Sequence, residues 1–210
     1  MTVEETFATV DENLRKIGVR FSEVVLPGVE PSFLDALETY VESPLPQGLR
    51  EWYTFCGGTK NSLRARVGML FEEILCPTSF DEIEYDMQTE GGAEPWLELP
   101  PPLPGRGIGI LRGADRVINV GIDQGSEEYG KVFLTDMTRI YPVYAQPDFF
   151  GYGSFSNFLS YLCELTAVCE FRDGEVVAEE EAKESLRERF GVIRYLLPSA
   201  DGTDEDLIIR

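Results

Sequence analysis

The chain has 210 residues, 43% of them hydrophobic, with 38 acidic and 18 basic side chains, a formal net charge of −20 and no histidine. This length and composition suffice for one globular core. Without histidine, Ser-His-Asp, Cys-His and HExxH sites are excluded, and the net charge argues against binding a nucleic-acid backbone. An acidic surface of this kind favours solubility and attraction to a basic partner.

The composition also bears on the compartment. No apolar stretch approaches the roughly 18 to 20 residues that a membrane span needs. Residues 1–16 are acidic and amphipathic, and they lack the basic and then apolar regions of a signal peptide. We therefore predict a cytoplasmic protein with no membrane contact. Four cysteines without zinc-like spacing are expected to be reduced and mostly buried: Cys56, Cys76, Cys163 and Cys169.

The first part of the chain predicts three helices. Residues 2–17 carry an apolar stripe at helical spacing. A second helix is expected to begin near Ser32, which with Asp35 resembles a capping box. A third helix, over residues 46–56, follows a proline and has an aromatic face. It is expected to end at Gly57, because glycine readily adopts the positive φ that terminates a helix.

The next part predicts a strand, a helix and a loop. The apolar run at residues 67–75 favours a strand, and residues 78–88 favour a helix capped by Thr78 or Ser79. Between residues 91 and 107 there are five prolines and several glycines. That composition predicts an irregular loop.

The later elements indicate the fold class. The runs IGILRG, RVINVGID and GKVFLTD predict a meander of antiparallel strands, and RIYPVYA is a candidate further strand. A helix follows, capped by Ser154 or Ser156. Helices, then strands, then a helix is the α+β order. We predict one domain over residues 1–171, with a largely antiparallel sheet and helices mainly on one side, plus a C-terminal helical extension over residues 172–210.

The acidic extension contains one charged helical pattern, VVAEEEAKESLRERF. We expect this helix to pack on the domain through its apolar side chains, which are Val176, Val177, Leu186 and Phe190. The alternative interpretation is an arm that binds a partner.

Three motifs follow one another along the chain. The first is Leu45-Pro46 with LREWY and a Gly-Gly turn, the second is a GKV strand beginning at Gly130, and the third is SFSNFL at residues 154–159. Together, over roughly residues 30–170, they resemble the SUKH superfamily, in particular its Smi/Knr group. Two features depart from that pattern: Cys56 stands where the family often has asparagine, and the tail is longer than the usual domain.

The resemblance implies a role for the aromatic helix as a signature of the fold. Trp52, Tyr53 and Phe55 would anchor this helix on the sheet. Gly57-Gly58 would then turn the chain toward the first strand.

The resemblance also implies a function without catalysis or cofactors. Bacterial members look mostly like immunity proteins, which neutralise polymorphic toxins, often nucleases, by binding them. We therefore predict a non-enzymatic protein-binding module, an immunity protein directed against a cognate toxin, with a basic nuclease as the candidate toxin. The alternative function is that of other members, which look like intracellular adaptors or scaffolds without a toxin partner.

One segment stands out by its charge. Residues 67–105, here called the acidic segment, contain nine carboxylates and no lysine or arginine. Carboxylates steer a basic partner, and aromatic side chains add short-range burial. The residues predicted to bind the partner are Asp81, Glu82, Glu84, Tyr85, Asp86, Glu90, Glu94, Trp96 and Glu98. The alternative interpretation is an ordinary solvated helix face followed by a loop, with Phe80 and Tyr85 in the core.

Other kinds of site fit the sequence poorly. GRGIGILRG does not follow the strand–GxGxxG–helix order of a nucleotide site. The carboxylates at residues 81–86 lack EF-hand spacing, so no metal site is assigned. No nucleophile and base are paired, which argues against an enzyme.

Overall fold

The computed structural model describes residues 1–58, 105–112, 116–136, 148–172, 175–191 and 193–196, together with the short pieces 76–77, 88, 97–98 and 208–209. Within these residues the chain forms one mixed unit of helices packed on an antiparallel sheet. The predicted α+β class is confirmed. The predicted strand at 67–75, nearly all of the helix at 78–88 and the candidate strand RIYPVYA lie outside the described residues.

The helices of the described part are α1 (Val3–Lys16), α2 (Phe21–Val24), α3 (Pro31–Val41), α4 (Gln47–Phe55), α5 (Phe155–Ala167) and α6 (Glu180–Phe190). α1 begins with a capping box, in which Thr2 Oγ1 accepts from the Glu5 backbone N–H and Glu5 Oε2 accepts from the Thr2 N–H. The capping box predicted at Ser32 is wrong. Pro31 already fills the first position of α3, where its missing N–H is tolerated.

The main sheet joins eight described strands, and all of its pairings are antiparallel. These strands are β1 (Cys76–Pro77), β2 (Leu97–Glu98), β3 (Arg106–Arg112), β4 (Arg116–Gly121), β5 (Lys131–Asp136), β6 (Asp148–Ser154), β9 (Ile193–Leu196) and β10 (Ile208–Ile209). A separate hairpin pairs β7 (Glu170–Arg172) with β8 (Glu175–Val177). The order in the main sheet is β1-β3-β4-β5-β6-β9-β10, and β2 also pairs with β3. The predicted meander is confirmed.

The prediction that residues 91–107 are wholly irregular is wrong at two places. Leu97 and Glu98 form β2, and β3 already begins at Arg106. Four of the five prolines in this stretch fall between the two strands, at positions 100–102 and 104. A proline interrupts a ladder only where it would have to donate a hydrogen bond, so these prolines do not prevent the pairing.

The core lies between the helices and one face of the meander. Ile118 and Val120 of β4 stand opposite Leu134 and Val132 of β5, and all four side chains are buried in the central cluster. Burying each such side chain stabilises the fold by roughly 1.5–3 kcal/mol. The Tyr53 hydroxyl donates to the carbonyl oxygen of Gly109 at 2.7 Å, which ties α4 to β3.

Trp52 and Tyr53 of the aromatic helix α4 are both fully buried. The predicted anchoring on the sheet is seen for Tyr53, which bonds Gly109 of β3, whereas the ring contacts of Trp52 are with other helices. Trp52 packs against Phe7, Phe155 and Phe158, with ring centroids 5.1, 6.3 and 6.2 Å away. The prediction for Phe55 is wrong, because this ring is 41% exposed, although it lies 5.8 Å from the ring of Phe7. The buried stripe of α4 runs through Leu49, Trp52, Tyr53 and Cys56, and Phe55 lies beside it.

One glycine of α4 has a packing role. A Cβ at Gly48 would lie only 2.5 Å from the Phe155 ring, so glycine is what allows α4 to approach α5 this closely. α5 itself is capped by Ser154, whose Oγ accepts from the Asn157 backbone N–H at 3.1 Å. This is one of the two caps that the sequence predicted.

The described part of the C-terminal extension packs into the fold. β9 pairs with β6, and α6 lies against α5. The Asn157 side-chain amide donates to the carbonyls of Tyr152 and Phe190, at 2.8 and 2.7 Å, and so joins α5 to β6 and to the end of α6. Among the side chains of the extension that the structure describes, Val176, Leu186 and Phe190 are buried and Val177 is half-buried. The helix starts at Glu180 because Val176 and Val177 belong to β8. The domain boundary at residue 171 stays a prediction.

Candidate partner-binding surface

Of the predicted partner-binding residues, one lies within the described part of the chain. Glu98 is in β2, and its Cα stands opposite that of Arg106. The others lie outside the described residues, and they are Asp81, Glu82, Glu84, Tyr85, Asp86, Glu90, Glu94 and Trp96. Their grouping into one surface therefore stays a prediction. The structure bears on it through the two described strands of the acidic segment, β1 and β2, which are here called its anchors.

Both anchors pair with the same strand. Pro77 of β1 stands opposite Leu111, and Leu97 of β2 stands opposite Gly107. On β3 these two positions are about 13 Å apart, at roughly 3.3 Å per residue. The other edge of β3 is occupied by β4. β1 and β2 flank residues 78–96 in the sequence, a stretch with six carboxylates, and both strands pair with the edge of β3 that faces away from β4.

A polar junction fixes the start of β3 beside the second anchor. The Arg106 backbone N–H donates to Asp123 Oδ2 at 2.6 Å, and Arg106 Nε donates to Asp123 Oδ1 at 2.8 Å. Arg106 Nη2 also donates to the carbonyl of Val41, the last residue of α3, at 3.0 Å. Gly105 precedes this junction with φ +108°, and a Cβ there would lie 2.7 Å from Asp123 Oδ2. Only glycine suits this position, for both reasons.

The connection between α3 and α4 is tied to the same region. The buried Ser43 donates from Oγ to the carbonyl of Ile122 at 2.6 Å and accepts from the Gln124 N–H at 3.2 Å. Sequence reasoning did not single out Ser43, Arg106 or Asp123. Their partners are distant in sequence and come together only once β3 and β4 are paired.

Arg50 of the LREWY motif forms ion pairs with two carboxylates of α3. Its guanidinium pairs with Asp35 at 2.8 Å and with Glu38 at 2.7 Å, and these hydrogen bonds raise the pKa of Arg50. Glu38 also accepts from the Leu45 N–H at 2.9 Å. Arg50 therefore holds α3 and α4 together and partly neutralises the carboxylates of this face.

Three cysteines have described side chains, and all three are buried. Cys56, Cys163 and Cys169 are free and buried. Burial raises the pKa of Cys56 and of Cys169 to about 12, so both stay protonated thiols at neutral pH. A thiolate is the form that attacks or binds a metal. Burial also raises the pKa of Tyr53.

Within the described ranges, no group of three or more Cys, Asp or Glu side chains is placed to hold a metal ion. None of the helices in these ranges is both long enough and apolar enough to cross a membrane.

Comparison with known proteins leaves the resemblance as a prediction. The chain matches no model of a known protein family and no sequence among curated proteins. Two observations bear on function: the charge of the acidic segment, and the pairing of β1 and β2, which lie within this segment, with β3.

Proposed function

We propose that this protein is a non-enzymatic binding module that neutralises a basic protein toxin through its acidic segment. The observation that carries the proposal is the pairing of both β1 and β2 with the outer edge of β3. Two fixed ends reduce the conformational entropy that the segment loses when a partner binds. The partner would thus meet a segment that β1 and β2 tie to one edge of the sheet.

The charge of the segment supports a basic partner. It carries nine carboxylates and no lysine or arginine. An enzyme that cleaves nucleic acid must be basic where it grips phosphates, so a carboxylate-rich surface can occupy that groove in place of the substrate. Long-range attraction would speed the encounter, and the aromatic rings of Tyr85 and Trp96 would be buried on contact. Inhibition needs only occlusion, with no bond made or broken.

The adaptor alternative stays a prediction and has no separate support from the C-terminal extension. A long tail would favour an adaptor if it were a free arm. In the described part of the extension, α6 packs on α5, and β9 extends the sheet beside β6.

The proposal is tested by purifying the protein from its native cells at low and at high salt, then expressing the co-purifying protein as a toxin. We expect one stoichiometric basic partner that salt releases, and we expect growth to be restored when the wild-type chain is co-expressed. Replacement of Asp81, Glu84 and Asp86 by lysine should abolish this rescue.

The matched control replaces Glu12, Glu51 and Glu181 by lysine. These side chains are exposed on three different helices, and the change in net charge is the same. The control variant should still rescue growth. Several sub-stoichiometric partners with no toxicity, or equal loss of rescue in both variants, would contradict the proposal.

A further inference from the structure

We propose that two copies of this chain dimerise through the outer edge of β7, with the two β7 strands antiparallel and related by a twofold axis at Phe171. β7 (Glu170–Arg172) pairs with β8 in a hairpin that is separate from the main sheet. The inference is independent of the proposed function, because it uses residues outside the acidic segment and requires no toxin.

The outer edge of β7 is exposed along its whole length. Within the described residues β7 pairs only with β8, and all three of its residues are exposed. In an antiparallel ladder every second residue directs its N–H and C=O away from the partner strand. Backbone groups at such an edge can bond a strand of another chain. The hairpin can therefore be extended by one more strand on the side of β7.

Phe171 makes this edge apolar at its centre. Its ring is 48% exposed, more than any other aromatic side chain that the structure describes. Phe171 stands opposite Val176 of β8, which is completely buried in the core cluster. Directly opposed residues of a strand pair share one face, so an apolar row leaves the core at Val176 and ends on the exposed ring. A second Phe171 placed opposite would continue the row into the other copy and cover both rings.

The charges beside Phe171 indicate which strand fits the edge. Glu170 precedes the ring and Arg172 follows it, and both side chains are exposed. Two identical strands that run antiparallel about Phe171 bring Glu170 of each copy opposite Arg172 of the other. Opposite charges in directly opposed positions stabilise a strand pair, whereas like charges destabilise it. The edge is thus complementary to itself, as the interface of a twofold dimer must be.

The ion pairs within one chain agree with this arrangement. Arg172 Nη2 lies 3.1 Å from Glu170 Oε2 and 2.6 Å from Glu179 Oε1. In the dimer each guanidinium would lie among carboxylates of both copies. Charges on an edge strand can also serve to prevent pairing. Two charges of the same sign would do so here, but the acid–aromatic–base order favours an identical strand.

The dimer is expected to be weak. Three residues per copy form a small interface, and the net charge of −20 on each chain opposes association. Salt screens that long-range repulsion, while the ion pairs at contact distance are screened less. We therefore expect a dissociation constant on the order of 100 µM at about 0.15 M salt.

The test is sedimentation equilibrium of the full chain between roughly 10 µM and 1 mM, at about 0.15 M salt. The mean mass should rise from the 23.6 kDa of one chain toward twice that value. Glu170→Arg and Arg172→Glu each place like charges opposite one another, so each variant alone should associate roughly tenfold or more weakly. An equimolar mixture of the two variants should recover wild-type association, because the arginines of one copy then face the glutamates of the other.

Matched controls are Glu12→Arg and Lys16→Glu, which change the net charge by the same amounts at an exposed ion pair of α1. Both should associate like the wild type. A wild-type mass that stays at 23.6 kDa throughout, single variants that associate no more weakly than their controls, or a mixture that recovers nothing would each overturn the proposal.

Two further variants decide the matter if a single charge reversal prevents folding. The double variant Glu170→Arg/Arg172→Glu again places opposite charges in opposed positions and should dimerise like the wild type. Phe171→Thr keeps both charges and a residue that suits a strand, but it removes the ring and should weaken association. Loss of association in the double variant, or full association without the ring, would contradict the proposed pairing.

Discussion

Trp52 and Arg106 each join three parts of the chain, but by different kinds of contact. Trp52 brings together α1, α4 and α5 through rings packed at 5–6 Å, and such contacts are non-directional. Arg106 joins β3 to Asp123 and to the end of α3 through hydrogen bonds, which require particular atoms in particular directions. The first region carries stability, and the second fixes particular backbone connections between β3, the chain after β4 and the end of α3.

The largest expected effect is in the aromatic region. Trp52→Ala should lower the free energy of unfolding by about 3–5 kcal/mol, because it removes a fully buried ring and leaves a cavity. Phe55→Ala, one turn further along the same helix, should cost less than about 1 kcal/mol, since that ring is half exposed. Urea denaturation measures both. Equal losses of unfolding free energy in the two variants would contradict the view that the difference in burial sets their contributions to stability.

Loss of a hydrogen-bonded contact should lower the free energy of unfolding by less than loss of the Trp52 ring. Asn157→Ala should destabilise the protein by about 2 kcal/mol, because two carbonyls, those of Tyr152 and Phe190, lose their amide donor. Hydrogen exchange should then rise first in α6. Ser160→Ala on the exposed side of the same helix is the control and should have little effect. Unchanged exchange in α6 would show that Asn157 does not hold the extension.

Tyr53 belongs to both kinds of region, because its ring is in the core and its hydroxyl bonds the sheet. Tyr53→Phe should cost about 1–2 kcal/mol by leaving the Gly109 carbonyl without this donor. The matched substitution Tyr129→Phe removes a more exposed hydroxyl that donates to Pro44, and it should cost less. Thermal or urea unfolding of the two variants checks the order, and a reversed order would contradict it.

The buried thiols of the core should make the free energy of unfolding depend on pH. Because burial raises the pKa of Cys56 and Cys169 to about 12, each contributes stability that is present below the unfolded pKa near 9 and is lost as pH rises toward the folded value. The free energy of unfolding should fall by about 1 kcal/mol per thiol between pH 9 and pH 10. Cys56→Ala should make this fall shallower, and an identical pH profile in that variant would contradict the assignment.

What could be predicted from the sequence follows the same division. The apolar stripes of α1 and α4 are local patterns, so their helices and the burial of Trp52 and Tyr53 were predictable. The exposure of Phe55 was not predictable, because a position beside the buried stripe depends on which other elements cover it. The contact of Arg106 with Asp123 spans 17 residues and depends on the β3–β4 register, which no local pattern encodes. Of the predicted binding residues, only Glu98 has a described place.

The central claim is that the carboxylates of the acidic segment attract a basic partner. Its most direct test is the association rate with the co-purifying basic protein, measured at several salt concentrations for the wild type and for the variant with lysine at Asp81, Glu84 and Asp86. We predict a wild-type rate that falls steeply with salt, and a variant that associates roughly tenfold or more slowly at low salt with a much flatter dependence. The same rates and the same salt dependence in both proteins would contradict the claim.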